Sequence, residues 1–309
     1  MSNGRSITAH LSERSQSVPP TALVMLSIIS VQVGAAIAKS LFDSLGPGGT
    51  VFLRITFAAL VLVLLVRPKL GGHGRDAYLV AGLFGLALAG MNFSIYLAID
   101  RIPLGVAVTL EFVGPLGVAV AGSRRVLDLL WIMLAAAGIL LLAPLGALGG
   151  MDLDPVGVAF ALLAGCCWAA YILLSARTGS VFPGGTGLVI ALCVGTVVLF
   201  PFGIAGAGQA LLDPKLLLGG FGVAMLSSAI PFSLELEALR KIPARVFGVL
   251  MSLEPAVAAL AGLVVLGELL EPRAVVAILF VTVAAAGASL FARRDEGRRE
   301  RGGDTSLRP

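Results

Sequence analysis

Apolar blocks of helix length fill this chain and leave it few folds to choose from. Ten are read, at residues 21–38, 49–66, 77–98, 103–122, 128–145, 156–175, 186–204, 215–234, 244–266 and 273–291. Each approaches the roughly 20 residues that carry a helix across about 30 Å of hydrocarbon. Within lipid the backbone must satisfy its own hydrogen bonds, which restricts spanning structures to helices and closed barrels. A barrel strand alternates apolar and polar residues, and no such alternation runs through these blocks. The expected fold class is therefore an all-α membrane protein with ten transmembrane helices. Charged residues make up only 13% of the chain against 58% hydrophobic, where a soluble domain carries about 25% charge. The loops and tails left over are too short for a soluble domain of ordinary size.

Lys and Arg flank the blocks unevenly. Arg5, Arg14, Arg67, Lys69, Arg75, Arg124, Arg125 and Arg177 fall on one side, with Arg240, Lys241, Arg245 and the tail from Arg293 to Arg308. The other side holds Arg101, Lys215 and Arg273, with Lys39 and Arg54 near span ends. Because basic loops stay in the cytoplasm, both termini are expected inside, as a polar tail over 1–17 and a basic tail over 293–309. The net charge of +4 then reflects topology signals, not a nucleic-acid partner. The first span is too long for a signal-peptide core and reads as an uncleaved anchor. Cys166, Cys167 and Cys193 lie inside apolar spans without CxxC spacing, and read as buried small hydrophobes rather than disulfides or metal ligands. His10 and His73 fall in polar segments and build no metal site. Neither a Walker-type phosphate loop nor HExxH nor GxSxG occurs, so no cofactor and no enzyme chemistry are expected.

An internal repeat organises the spans. Ala98, Ile102, Pro103, Pro115, Ala121 and Gly122 recur in register as Ala238, Ile242, Pro243, Pro255, Ala261 and Gly262. Five spans separate the copies, and an odd number of crossings turns the second copy upside down. The expected architecture is two inverted five-helix repeats, over 18–148 and 149–292, with a site near midplane between them.

Candidate site residues are the polar groups that lipid would not tolerate. Glu111 lies too far from either end of its span for its short side chain to reach water, so it must face the bundle interior or an aqueous cavity. Pro115 has no N–H to give the Glu111 carbonyl four residues back, which would set a carboxylate and a free carbonyl together. Such a pair suits an ammonium group or a proton. Glu254 stands next to Pro255, which likewise frees the Met251 carbonyl, but the repeat aligns Glu254 with Gly114 and the two acids need not share a role. Gln32 and Lys39 share a face of span one; Lys39 is either a snorkelling end residue or a cavity cation, and Arg54 in span two is open to the same two readings. Asn92 and Tyr96 can present an amide and a phenol to a cavity or bond to a neighbouring helix. Trp168 and Tyr171 share a face of span six, as pocket wall or core. Pro231 loosens span eight; one turn on, Glu235 is a second-rank gate or site residue, while Glu237 pairs with nearby basic residues. Ala81, Gly85 and Ala89 form a small-residue seam for close helix approach.

Several stretches together resemble the drug/metabolite transporter superfamily of EamA type. They include Gln32 with Gly34-Ala35 and Ala38-Lys39-Ser40-Leu41-Phe42, Gly90-Met91-Asn92, Leu110-Glu111-Phe112 with Gly114-Pro115-Leu116, and Ser123-Arg124-Arg125. In the second half they continue with Cys167-Trp168-Ala169, Ser233-Leu234-Glu235, Phe247-Gly248 and Glu254-Pro255-Ala256. The resemblance implies a ten-helix exporter in the bacterial inner membrane, working by alternating access and driven by the proton gradient. It points to small neutral amino acids such as threonine or homoserine, with another metabolite or a drug as the alternative within the superfamily. A passive channel or a scaffold is the alternative outside it. Glu111 would then take the ammonium of a zwitterion and Lys39 or Arg54 its carboxylate. Gln32, Asn92 and Tyr96 would meet a side-chain hydroxyl, and Glu111 or Glu254 would carry a coupling proton.

Overall fold

The computed structural model describes residues 19–68, 71–121, 126–142, 153–182, 185–239, 241–242, 247 and 250–291. The two tails, Lys69, Gly122, Ser123-Arg124-Arg125, Arg240, Pro243, Arg245 and Gly248 lie outside the described residues. Every regular element among those described is helical: α1 (Pro20–Ser40), α2 (Phe42–Val66), α3 (Arg75–Ile99), α4 (Leu104–Glu111), α5 (Val113–Ala121), α6 (Val126–Leu142), α7 (Pro155–Val181), α8 (Thr186–Ala207), α9 (Pro214–Ala224), α10 (Ile230–Leu239), α11 (Glu254–Ala261) and α12 (Pro272–Phe291). Five of them, α1, α2, α3, α7 and α8, are long and apolar enough to cross a membrane, α8 together with the 3₁₀ turn that follows it. The protein is a multi-pass membrane protein.

Proline and glycine decide where helices start and break. Asp154 caps α7, its Oδ1 accepting from the Val156 N–H at 2.9 Å, with Pro155 in the first turn. Asp213 does the same for α9 through Lys215 N–H at 2.8 Å, ahead of Pro214. Proline is tolerated there because the first N–H groups of a helix have no partner within it. The Val156 N–H and the Arg101 guanidinium, 3.0 Å from Asp154, hold that carboxyl below the ordinary carboxylate range. In α2 the chain kinks at Gly46, whose φ of 63° is the left-handed region open to glycine.

The fourth apolar block is two helices, α4 and α5, parted at Phe112. That break lies beside the Glu111 carbonyl for which Pro115 has no N–H. In the ninth block the chain turns at Ser252–Leu253 and α11 begins at Glu254, so Pro255 sits in a first helical turn. A π-helical turn, Met225–Ala229, joins α9 to α10. The turns leading out of α3 and α10 are closed alike. Arg101 and Ile102 N–H bond to the Ala98 carbonyl at 2.9 Å each, and Lys241 and Ile242 N–H to the Ala238 carbonyl at 2.8 and 2.9 Å.

Helices pack α2 on α8, α3 on α7 and α8, α1 on α10 and α11, α4 on α11 and α7, and α6 on α12. Between apolar helices in lipid little is gained by leaving water, so close backbone approach at small residues carries much of the association. A side chain on Gly85 would meet the Ala191 carbonyl of α8 at 2.7 Å, which places the middle of the Ala81–Gly85–Ala89 seam against that helix. A side chain on Gly105 would lie 2.6 Å from Ala259 Cα of α11, and one on Gly114 would collide with the Gly165 carbonyl of α7. The cysteines depart from expectation. Cys166 and Cys193 are exposed on the outside of the bundle and Cys167 is half-buried, because an apolar residue in such a bundle can face lipid as readily as core.

Candidate functional site

Two neighbouring cavities lie between the helices and share part of their lining. The first, about 140 Å³, is lined by Gln32, Arg54, Asn92, Tyr96, Glu111, Trp168 and Glu254 among apolar residues that include Ile99 and Leu104. The second, about 180 Å³, is lined by Arg54, Asn92, Tyr171, Ser227, Ser228, Pro231 and Glu235, with Leu62 and Leu188 among its apolar residues. We call them the α4 chamber and the α10 chamber. Val31, Arg54, Met91 and Asn92 line both.

Arg54 occupies the shared wall. Its Nη1 donates to the Tyr96 hydroxyl at 3.3 Å and its Nη2 to the Ser227 carbonyl at 3.2 Å, while Nε has no partner among the described residues. The guanidinium also lies over the Tyr96 ring, 5.6 Å from its centroid, a cation–π contact. The Ser227 carbonyl is four residues before Pro231, which has no N–H to offer it. A proline thus leaves an acceptor open and Arg54 takes it.

Three carboxyls line the chambers that Arg54 borders, and none of them forms an ion pair with it among the described residues. Glu111 is 8% exposed and Glu254 6%, and neither forms an ion pair among the described residues. Glu254 stands at the first position of α11, where the positive end of the helix dipole favours a carboxylate. Glu235 borders the α10 chamber and accepts from Ser27 Oγ at 2.6 Å. Gln32 is 3% exposed, and its Oε1 has no partner among the described residues. Asn92 donates back to the Leu88 carbonyl at 2.9 Å, which leaves its oxygen free to accept. Trp168 meets Phe112 edge-on at 5.5 Å, and Tyr171 packs on Phe84 at 5.0 Å. The carbonyl that Pro115 frees does not join the site. It packs against Gly165 of α7, 2.8 Å from where a Cβ would stand, while the Glu111 carboxyl lines a chamber that Gly165 does not.

Lys39 is placed elsewhere. Its Nζ pairs with Glu268 Oε1 at 2.6 Å and reaches the Ile102 carbonyl at 3.4 Å. Glu268 Oε2 accepts from the Leu104 N–H at 2.8 Å and so caps α4. Of the two cations read from the sequence, Arg54 borders the chambers and Lys39 ties α1 and the start of α4 to the segment that follows α11. Glu268 was missed because it lies past the end of an apolar block. Its one signal is Gly267, whose φ of 70° turns the chain back so that the Glu268 N–H reaches the Gly262 carbonyl at 3.0 Å. Glu237 pairs with Lys241 at 3.1 Å, away from both chambers.

Charged and polar groups gathered inside a bundle of membrane-length helices give a membrane transport protein the polar interior it needs. Residues 155–290 match the EamA-like transporter family. The threonine/homoserine exporter RhtA of Salmonella typhimurium is 40% identical over 276 residues, 89% of this chain and 93% of its own. The threonine/homoserine exporter RhtA of Escherichia coli is 39% identical over 281 residues, 91% of this chain and 95% of its own. The chain belongs to the EamA-like transporter family, and it is a transporter, not an enzyme. A solved crystal structure 19% identical superposes with a TM-score of 0.56, covering 89% of this chain and 99% of the other, a likeness of fold alone.

Proposed function

We propose that the protein is a secondary exporter of small neutral amino acids, threonine- or homoserine-like, in the bacterial inner membrane. The observation that carries this is one guanidinium and two carboxyls without an ion pair among the described residues, Arg54 with Glu111 and Glu254, lining a single cavity. A zwitterion needs one cationic and one anionic partner within a few ångströms, and that lining offers both. Size argues for a metabolite over a drug, since chambers of about 140 and 180 Å³ fall below the roughly 300–1,000 Å³ of drug-sized sites. Two relatives named threonine/homoserine exporters, each matched over nearly its whole length, support the same substrate class.

Export proceeds by alternating access between two inverted five-helix repeats. Exchanging the repeats maps α2 onto α8 and α6 onto α12, each of which packs on its counterpart, and maps the α3–α7 contact onto the α10–α1 contact. The like-closed turns at Ile102 and Ile242 follow the same exchange. Coupling is to protons. Three carboxyls and one guanidinium line the two chambers among the described residues, and buried carboxylates without partners are costly. Protons or a substrate ammonium must offset the excess, so a carboxyl that is protonated in one access state and released in the other exchanges protons for substrate.

Glu111→Gln keeps the shape and removes the titrating group. Reconstituted in liposomes, this variant is expected to lose export driven by a pH gradient while still inserting and folding. Efflux across a panel of amino acids and unrelated drugs, with and without the gradient, tests the whole reading. Wild-type coupling left intact in Glu111→Gln would remove Glu111 from the mechanism.

A further inference from the structure

The α10 chamber has its own acid, shares its cation with the α4 chamber, and has no role in a mechanism built on Glu111 alone. We propose that it is a second binding site for the same zwitterion, and that substrate passes between the chambers by pivoting on Arg54. This rests on the amino-acid reading above and extends it.

Arg54 is built to serve both sides. Of its two bonded nitrogens, Nη1 reaches Tyr96, which lines the α4 chamber, and Nη2 reaches the carbonyl of Ser227, which lines the α10 chamber. At 3.3 and 3.2 Å both bonds are longer than the roughly 2.7–2.9 Å of a charge-assisted hydrogen bond to a carboxylate. A substrate carboxylate arriving from either side therefore offers the fork a better acceptor than the one it holds. Nε is buried and has no partner among the described residues, so part of the fork is open to substrate.

Each chamber supplies a partner for the ammonium. In the α10 chamber it is Glu235, with Ser227 and Ser228 on a π-helical turn beside it; such turns widen a helix and recur at functional sites. In the α4 chamber it is Glu111 with Glu254, and the unpartnered Gln32 Oε1 lies in the same wall. Between the chambers stand Val31 and Met91, both apolar, and Asn92. Methionine, unbranched and adaptable, can yield to a passing ligand. The carboxylate stays on Arg54 while the ammonium leaves Glu235 for Glu111 and Glu254. The substrate carboxylate then never leaves a cation, and only the ammonium changes partner.

The test is side-specific affinity. Full-length protein is reconstituted in vesicles of defined orientation, and half-saturating concentrations for labelled threonine exchange are measured separately from each face. Glu235→Gln is expected to raise the value roughly tenfold, the scale of one charge-assisted hydrogen bond, from the face that opens on the α10 chamber. The opposite face should stay within about twofold. Glu111→Gln should show the reverse asymmetry, and Arg54→Ala should weaken both faces. Should Glu235→Gln fail to fold, Leu188→Phe narrows the α10 chamber without removing a polar group and should weaken the same single face. Equal weakening at both faces, or none, by the variant at the α10 chamber would overturn the relay. If wild-type protein exchanges no amino acid at all, the proposed substrate class fails first.

Discussion

Arg54 does two things that a lysine cannot do at once. Its fork reaches the Tyr96 hydroxyl and the Ser227 carbonyl with separate nitrogens, whereas an ammonium is a compact charge on a flexible stem. Arg54→Lys keeps the charge and gives up one of the two acceptors. We expect its half-saturating substrate concentration to rise about tenfold, near 1.4 kcal/mol for one lost charge-assisted bond, with the maximal rate less affected. Side-specific transport kinetics would show this, and an unchanged half-saturation value would mean that charge alone matters at this position. The ion pair of Lys39 and Glu268 makes the opposite case, of a charge that fixes structure. With side chains 23% and 16% exposed, it lies largely out of water, and Glu268 also caps α4. Lys39→Met leaves that carboxylate without its cation, at a cost on the order of 1–3 kcal/mol. The outcome to look for is a lower melting temperature in detergent with substrate affinity retained. Loss of affinity without loss of stability would instead put Lys39 in the transport path.

Helix breaks carry the polar groups into place. Pro231 leaves the Ser227 carbonyl open, the π-helical turn of Met225–Ala229 presents it, and Arg54 occupies it. Pro231→Ala restores an N–H that can compete for that carbonyl. Thermal unfolding should then show stability held or increased, since proline inside a helix costs about 3 kcal/mol, while substrate affinity falls several-fold as Arg54 loses its tether. Affinity that falls only in step with stability would refute the tether. How much of this the sequence disclosed depended on distance along the chain. Helical blocks and the acids within them are local facts, and Glu111, Glu254 and Glu235 all border the chambers. The partner of a freed carbonyl is a long-range fact. Pro115 opens the Glu111 carbonyl and Pro231 that of Ser227 by the same rule, yet one ends on Gly165 of α7 and the other on Arg54 of α2. Only packing distinguishes them. Glu268 was illegible for a similar reason, because its partners Lys39 and Leu104 are more than 160 residues away.

At the scale of the whole molecule the question is how two halves of similar outline make one site that opens to two sides. If the halves are inverted repeats, positions equivalent in sequence must lie on opposite faces of the membrane. Arg101 and Lys241 are such a pair, each just before an Ile-Pro step and each bonded through its N–H to an alanine carbonyl three residues back, at 2.9 and 2.8 Å. Both are exposed, and their ion pairs, with Asp154 and Glu237, are of the surface kind that contributes about 0–1 kcal/mol. Cysteine can therefore replace either one without unfolding the protein. With the three native cysteines removed, Arg101→Cys should react with a membrane-impermeant maleimide in intact cells. Lys241→Cys should react only after the membrane is opened. Labelling of both from the same side would rule out inversion, and with it the exchange of chambers as the basis of alternating access. Opposite labelling fixes more than topology. It orients the two chambers, since Ile99 and Leu104 of the α4 chamber adjoin the Arg101 turn, while Glu235 of the α10 chamber is less than two helical turns from Lys241. The α10 chamber then faces the cytoplasm, where an exporter must collect its substrate, and Glu111 and Glu254 stand on the side from which protons return.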